Sequence, residues 1–130
     1  MAKLPYLYFG AMAAQDVLQG WDEASGVDGA VIKKLRPFGG DGIPESERWA
    51  WDSPKVFFDF PPDYPDDYLC EHLRQNPDFV RMAAEWAPRF HAFGVWIAWD
   101  RAGCPGLALS AELLSLLAAS GMTLELDVVP

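Results

Sequence analysis

Ala92-Phe93-Gly94-Val95-Trp96-Ile97-Ala98-Trp99 decides the fold, because it is apolar on both of its alternating faces. A strand in the middle of a sheet whose two faces are covered reads this way, so a central strand is expected here. A loop with Gly103, Pro105 and Gly106 follows, and Ser110 then stands where a helix N-cap belongs, ahead of the Leu-rich run Ala111 to Ser120 and the helix-closing Gly121. Met122, Leu124, Leu126 and Val128 next alternate with Thr123, Glu125 and Asp127, the period-two pattern of a strand with one buried and one polar face. The unit is strand, helix, strand, long enough for a parallel crossover of right-handed sense.

Upstream, Tyr6 to Met12 is rich in strand formers, and Ala13 to Ala24 carries Val17, Leu18 and Trp21 at helical spacing before Gly26. Ala30 to Arg36 is the one locally basic stretch and reads equally as a short strand or a helical turn. Residues 37–47, with Gly39, Gly40, Gly42 and Pro44, read as an exposed loop. Its Gly-Gly-Asp-Gly resembles a phosphate cradle, but no Lys-Ser/Thr follows, and no strand precedes it with a helix after it. Arg48 to Trp51 reads as extended with both indoles on one side, and Lys55 to Phe60 as a strand. Tyr68 to Gln75 and Asn76 to Ala87 read as two helices, the second capped by Asn76 with Pro77 at its first position and stopped by Pro88.

The chain of 130 residues is long enough to bury a core without disulfides or metal, and a single domain spanning 1–130 is expected. Apolar residues make up 51% of it and six are Trp, a composition that excludes disorder. A formal net charge of −9 repels nucleic acid and favours basic partners. Two cysteines, Cys70 and Cys104, point to a reducing compartment, and a cytoplasmic location is expected. The N-terminal apolar run is broken by Pro5 and Gly10 and reads as a first strand rather than a secretion signal. No stretch reaches the roughly 20 apolar residues of a membrane span, so no membrane association is expected.

Catalytic motifs are missing from the sequence. His72 and His91 have no second ligand at metal-binding spacing along their elements, and Cys70 and His72 diverge around a helix. His91 and Cys104 could meet only in space. Ser110 is accounted for as a helix cap, and no nucleophile elbow is present. The reading is of a non-enzyme without cofactor or metal.

The most unusual composition is Asp59 to Tyr68, with four Asp and two Tyr among three prolines. Proline fixes φ, so such a loop would present its side chains partly preorganised. Asp59, Asp63, Tyr64, Asp66, Asp67 and Tyr68, together with Trp49, are the candidate partner-binding residues. The alternative is that Asp66 and Asp67 merely supply charge at the start of the next helix.

Gly106 to Leu114 and Leu116 to Asp127, with Trp51-Asp52-Ser53 and the helical Leu69 to Leu73, resemble a bacterial domain family of unknown function. Some members of that family are predicted polymorphic-toxin immunity proteins. The resemblance covers about Trp49 to Val129, and the family's Pro-Thr segment after the first helix is missing. It implies stoichiometric neutralisation of a cognate toxin in the cytoplasm and carries no catalytic residues.

The expected fold is α+β: a mixed sheet of about four to five strands, helices mainly on one face, and the other face partly open and acidic. The expected partner is a basic toxin domain. A small-ligand or enzymatic domain using a pocket around Trp49, Trp51 and Trp99 is the alternative, and a homo-oligomer pairing through its open sheet is a third.

Overall fold

Tyr6–Ala13, the first strand, ends up at the centre of a mixed sheet. The computed structural model describes residues 4–36, 40, 42–59, 63–100 and 108–129. Along them run β1 (Tyr6–Ala13), α1 (Gln15–Ser25), β2 (Val31–Lys34), β3 (Trp49–Asp52), β4 (Val56–Phe57), α2 (Pro65–Gln75), α3 (Pro77–Trp86), β5 (Ala92–Asp100), α4 (Ala111–Ser120) and β6 (Thr123–Val129). The order is β2-β3-β1-β5-β6, with β4 pairing β1 beyond the end of β3. The α+β class and the mixed sheet are as expected, with six strands rather than four or five among the described residues.

All pairings are antiparallel except β5 with β6, which are parallel and joined through α4. Ser110 caps α4 by accepting a hydrogen bond from the Leu113 N–H at 3.0 Å, and Gly121 closes it at φ 74°. A left-handed residue there favours glycine. The ambiguous 30–36 segment is the edge strand β2. Between β3 and β4, Pro54 removes a ladder donor and the strand breaks. Ser53 spans the gap: its hydroxyl accepts from the Phe9 N–H at 2.8 Å and its own N–H donates to the Phe9 carbonyl at 2.9 Å.

Alternation along the strands assigns two faces. Leu7, Phe9, Ala11 and Ala13 of β1, Trp49 and Trp51 of β3, and Phe93, Val95, Ile97 and Trp99 of β5 point toward the helices. Trp21 of α1 sits at the middle of this core. Its ring centroid lies 5.4 Å from Phe93, 5.6 Å from Trp51 and 5.7 Å from Phe90, each edge to face. The Trp51 indole donates to Asp22 at 2.8 Å, so its polar handle is satisfied at the sheet-helix boundary.

Four expectations are corrected. Helix α2 begins at Pro65, three residues before Tyr68, because proline suits a first helical position where no N–H is needed. Asn76 stands at the N-cap of α3 with Pro77 first in the helix, as expected, but its side chain makes no cap bond: its amide donates to the His72 carbonyl at 2.7 Å, at the end of α2. The Lys55 to Phe60 strand is reduced to Val56–Phe57, with Phe60 outside the described residues. Trp51 and Trp99 are fully buried in the core with Trp49 packed against it, and among the described residues these indoles do not line the clefts described below. The Gly103 to Gly106 loop, Cys104 and residues 37–39 and 41 of the glycine loop lie outside the described residues; Glu45–Glu47 is a 3-10 turn. Among the described residues no helix is long and apolar enough to cross a membrane.

Candidate docking face

Tyr6, Tyr8, Gly10 and Met12 of β1 point away from the helices, as do Phe57 of β4, Ala50 and Asp52 of β3, and Ala92, Gly94, Trp96, Ala98 and Asp100 of β5. The parallel register adds Thr123, Glu125 and Asp127 of β6 to the same side. No helix of the described residues covers this side. β5 is nonetheless buried or half-buried on both faces as far as Trp99, as expected, but on this side the shelter comes from small residues at Ala92, Gly94 and Ala98 and from the aromatic neighbours of Trp96 and not from a helix of the described residues.

Those neighbours form a row. Phe57 and Tyr6 have centroids 5.8 Å apart, Tyr6 and Tyr8 6.3 Å, and Tyr8 stacks on Trp96 at 5.8 Å with planes 12° apart. The Lys55 ammonium sits 4.4 Å over the Tyr6 ring. Trp96 lies flat because Gly10 has no side chain beneath it; a Cβ there would come within 2.8 Å of the indole. Beside the stack, Tyr8, Gly10, Met12, Asp52 and Trp96 line a shallow groove of about 180 Å³.

Charge is distributed unevenly over the face. Asp52 is paired with Lys33 at 3.1 Å on the β2 side. Glu125 and Asp127 on β6, with Asp100 at the end of β5, place three carboxylates on the other side of the aromatic row. Burial pushes the Tyr8 hydroxyl up from 10.0 to about 12, helped by the charges of Asp52, Tyr6 and Asp127, so it stays a neutral donor.

The Asp-rich segment adjoins this face at Phe57. Asp63, Tyr64, Asp67 and Tyr68 line a cleft of about 450 Å³ with Val56, Phe57 and Phe58, and Phe57 is 47% exposed. Asp59, Asp63, Asp67 and Tyr64 are exposed, as a contact surface requires. Asp66 is 8% exposed in the first turn of α2 and is removed from the contact set. Tyr68 is partly committed inward, stacked on His72 at 5.7 Å and edge-on to Phe58 at 5.3 Å. Trp49 lies on the helix side of the sheet, half-buried opposite Ala13 and Lys34, and does not join the aromatic row.

Tyr6, Tyr8, Phe57 and Trp96 were not among the residues the sequence singled out. The signal for them was the pair of tyrosines two apart in Tyr6-Leu7-Tyr8-Phe9, which places two polar-tipped rings together on one side of a strand.

The remaining candidate chemistry is dispersed. His91 meets Glu47 at 3.0 Å. The Cys70 thiol contacts Glu112 at 3.1 Å, and Arg74 holds the same carboxylate at 3.0 Å through Nε, joining α2 to α4. Burial, then the Glu112 contact, pushes that thiol up, so it is the unreactive protonated form. Among the described residues no three His, Cys, Asp or Glu side chains group to hold a metal ion. The chain matches no protein-family model, no curated protein and no solved structure.

Proposed function

We propose that this is a non-catalytic binding protein that docks a basic protein partner on its open sheet face, and that the partner is a bacterial toxin domain neutralised stoichiometrically in the cytoplasm. The observation that supports the docking reading is the row Phe57, Tyr6, Tyr8 and Trp96, exposed at Phe57 and half-buried along the rest, which no helix of the described residues covers and which Asp100, Glu125 and Asp127 flank. Rigid aromatic rings supply large contact area at low entropic cost and dominate interface energies. The carboxylates supply steering toward a positive surface, in keeping with the net charge of −9. Asp63 and Asp67 extend the acidic rim along the adjoining cleft. The toxin identity comes from the C-terminal resemblance; the surface itself asks only for a basic protein.

Capture of partners from the source lysate with tagged wild-type protein and with a Glu125→Lys, Asp127→Lys double variant tests this. Support is one basic protein retained at one-to-one stoichiometry in low salt, lost with the variant, and inhibited in its own purified activity by added wild-type protein. A partner retained equally by the variant, or none at either salt, overturns the docking face.

A further inference from the structure

On the helix side of the sheet, the end of α1, the β3 to β4 break and the α2 to α3 junction enclose a cleft of about 350 Å³. That volume is in the range of small-molecule sites. Its floor is apolar: Leu7 and Phe9 of β1, Val56 of β4 and Phe79 of α3. Phe79 meets Phe9 edge to face at 5.3 Å, and His72 sits between them, 5.7 Å from Phe9 and 6.3 Å from Phe79.

Tyr68 brings its phenol to the cleft, and the other polar side chains divide into two sets. Ser53, Ser25 and Asn76 are already engaged, Ser53 with Phe9 and Pro54, Ser25 with Asp22 and Val27, Asn76 with the His72 carbonyl. His72 and Asp28 are not: neither imidazole nitrogen nor the Asp28 carboxylate has a hydrogen-bond or ion-pair partner among the described residues. Burial keeps the His72 ring neutral, so one nitrogen is an open acceptor.

The surrounding field selects the sign of the ligand. The C-terminal end of α1 abuts the cleft through Ser25 and Gly26, with no basic residue in its last turn. A helix C-terminus carries partial negative charge, and Asp28 adds a full one. The end of α2 and the start of α3 meet at Asn76 and offset one another. What remains is an acceptor-rich, negative rim over an aromatic floor.

We propose that this cleft binds an arylalkylamine: a small aromatic body with an N–H or O–H donor for His72 and a primary ammonium for Asp28 and the end of α1. The site lies on the opposite side of the sheet from the aromatic row, and it shares only Val56 and Tyr68 with the acidic cleft that adjoins the docking face.

Tryptamine is the probe, with its neutral isostere tryptophol and the anion indole-3-propionate as comparisons, titrated calorimetrically into the full chain and followed by amide chemical shifts. The expected order is tryptamine several-fold tighter than tryptophol, with indole-3-propionate weakest, and shifts centred on Ser25 to Asp28 and Phe79. Asp28→Asn, at an exposed position, should weaken tryptamine several-fold and leave tryptophol unchanged. Absence of saturable tryptamine binding, equal binding of the anion, or indifference to Asp28→Asn in the folded variant overturns the proposal.

Discussion

Trp96 lies directly over Gly10 on the neighbouring strand, so close that a Cβ at position 10 would sit 2.8 Å from its ring. The docking face therefore depends on a missing side chain. Gly10→Ala should leave the backbone undisturbed, since the nearest atoms are side-chain ones, the Trp96 ring and a carboxylate oxygen of Asp52 at 3.3 Å. An indole on an open face can swing away, so the stability cost should fall below the typical 1 to 3 kcal/mol of overpacking, at about 1 kcal/mol or less. The Tyr8 to Trp96 stack should be lost, seen as a changed near-ultraviolet circular dichroism spectrum with an almost unchanged Tm. An unaltered spectrum would show that the ring does not rest on Gly10.

Gly94 makes the opposite case. A Cβ there would come within 2.6 Å of the Thr123 carbonyl oxygen and 2.5 Å of its hydroxyl, and backbone cannot swing aside. Gly94→Ala must part β5 from β6 at the start of their parallel ladder, where Gly94 pairs Thr123. We expect a loss of about 1 to 3 kcal/mol in denaturant unfolding, clearly greater than for Gly10→Ala. Equal losses for the two variants would contradict the close approach.

The C-terminal unit was legible in sequence because each of its signals is local: a capping serine, a closing glycine, and strict alternation from Met122 to Val128. The open face was legible only in part. Thr123, Glu125 and Asp127 announced its acidic side, but Trp96 looked like core because periodicity reports apolarity and not whether a second layer exists. Leu126 and Val128 share the helix-side face with Ile97, yet they are 45% and 44% exposed at the sheet edge, which alternation cannot foresee. The Asp59 to Tyr68 composition suggested one loop, whereas Pro65 opens a helix whose first turn buries Asp66. The cleft beside His72 draws on five separated segments, and no local pattern marks such a meeting.

His72 gives the fold a definite pH dependence. Burial lowers its pKa from the ordinary 6.5. As pH falls below that value the unfolded chain takes up a proton that the folded chain resists, so stability declines, and the decline ends once the folded ring is also protonated. His72→Phe preserves a ring against Phe9, Tyr68 and Phe79 while removing the titration. Between about pH 7.5 and pH 5, the wild type should lose more Tm than His72→Phe, the carboxylates being common to both. Parallel profiles would place the imidazole in solvent rather than among those rings.

The Tyr8 phenol should ionise well above the ordinary tyrosine value. Its hydroxyl is pushed from 10.0 to about 12, chiefly by burial and next by the negative charge of Asp52. Because the folded form holds the proton longer than the unfolded chain does, the native state loses stability as pH rises between these values. The titration is therefore best read by a rapid pH jump, recording tyrosinate absorbance before unfolding. Tyr8→Phe should remove the step near 12. Asp52→Asn should lower that step without restoring the ordinary value, because the larger cause, burial, remains. If instead Tyr8→Phe removes a step near 10 and none near 12, the stack against Trp96 does not shield the phenol, and the face is wetter than its row of rings implies.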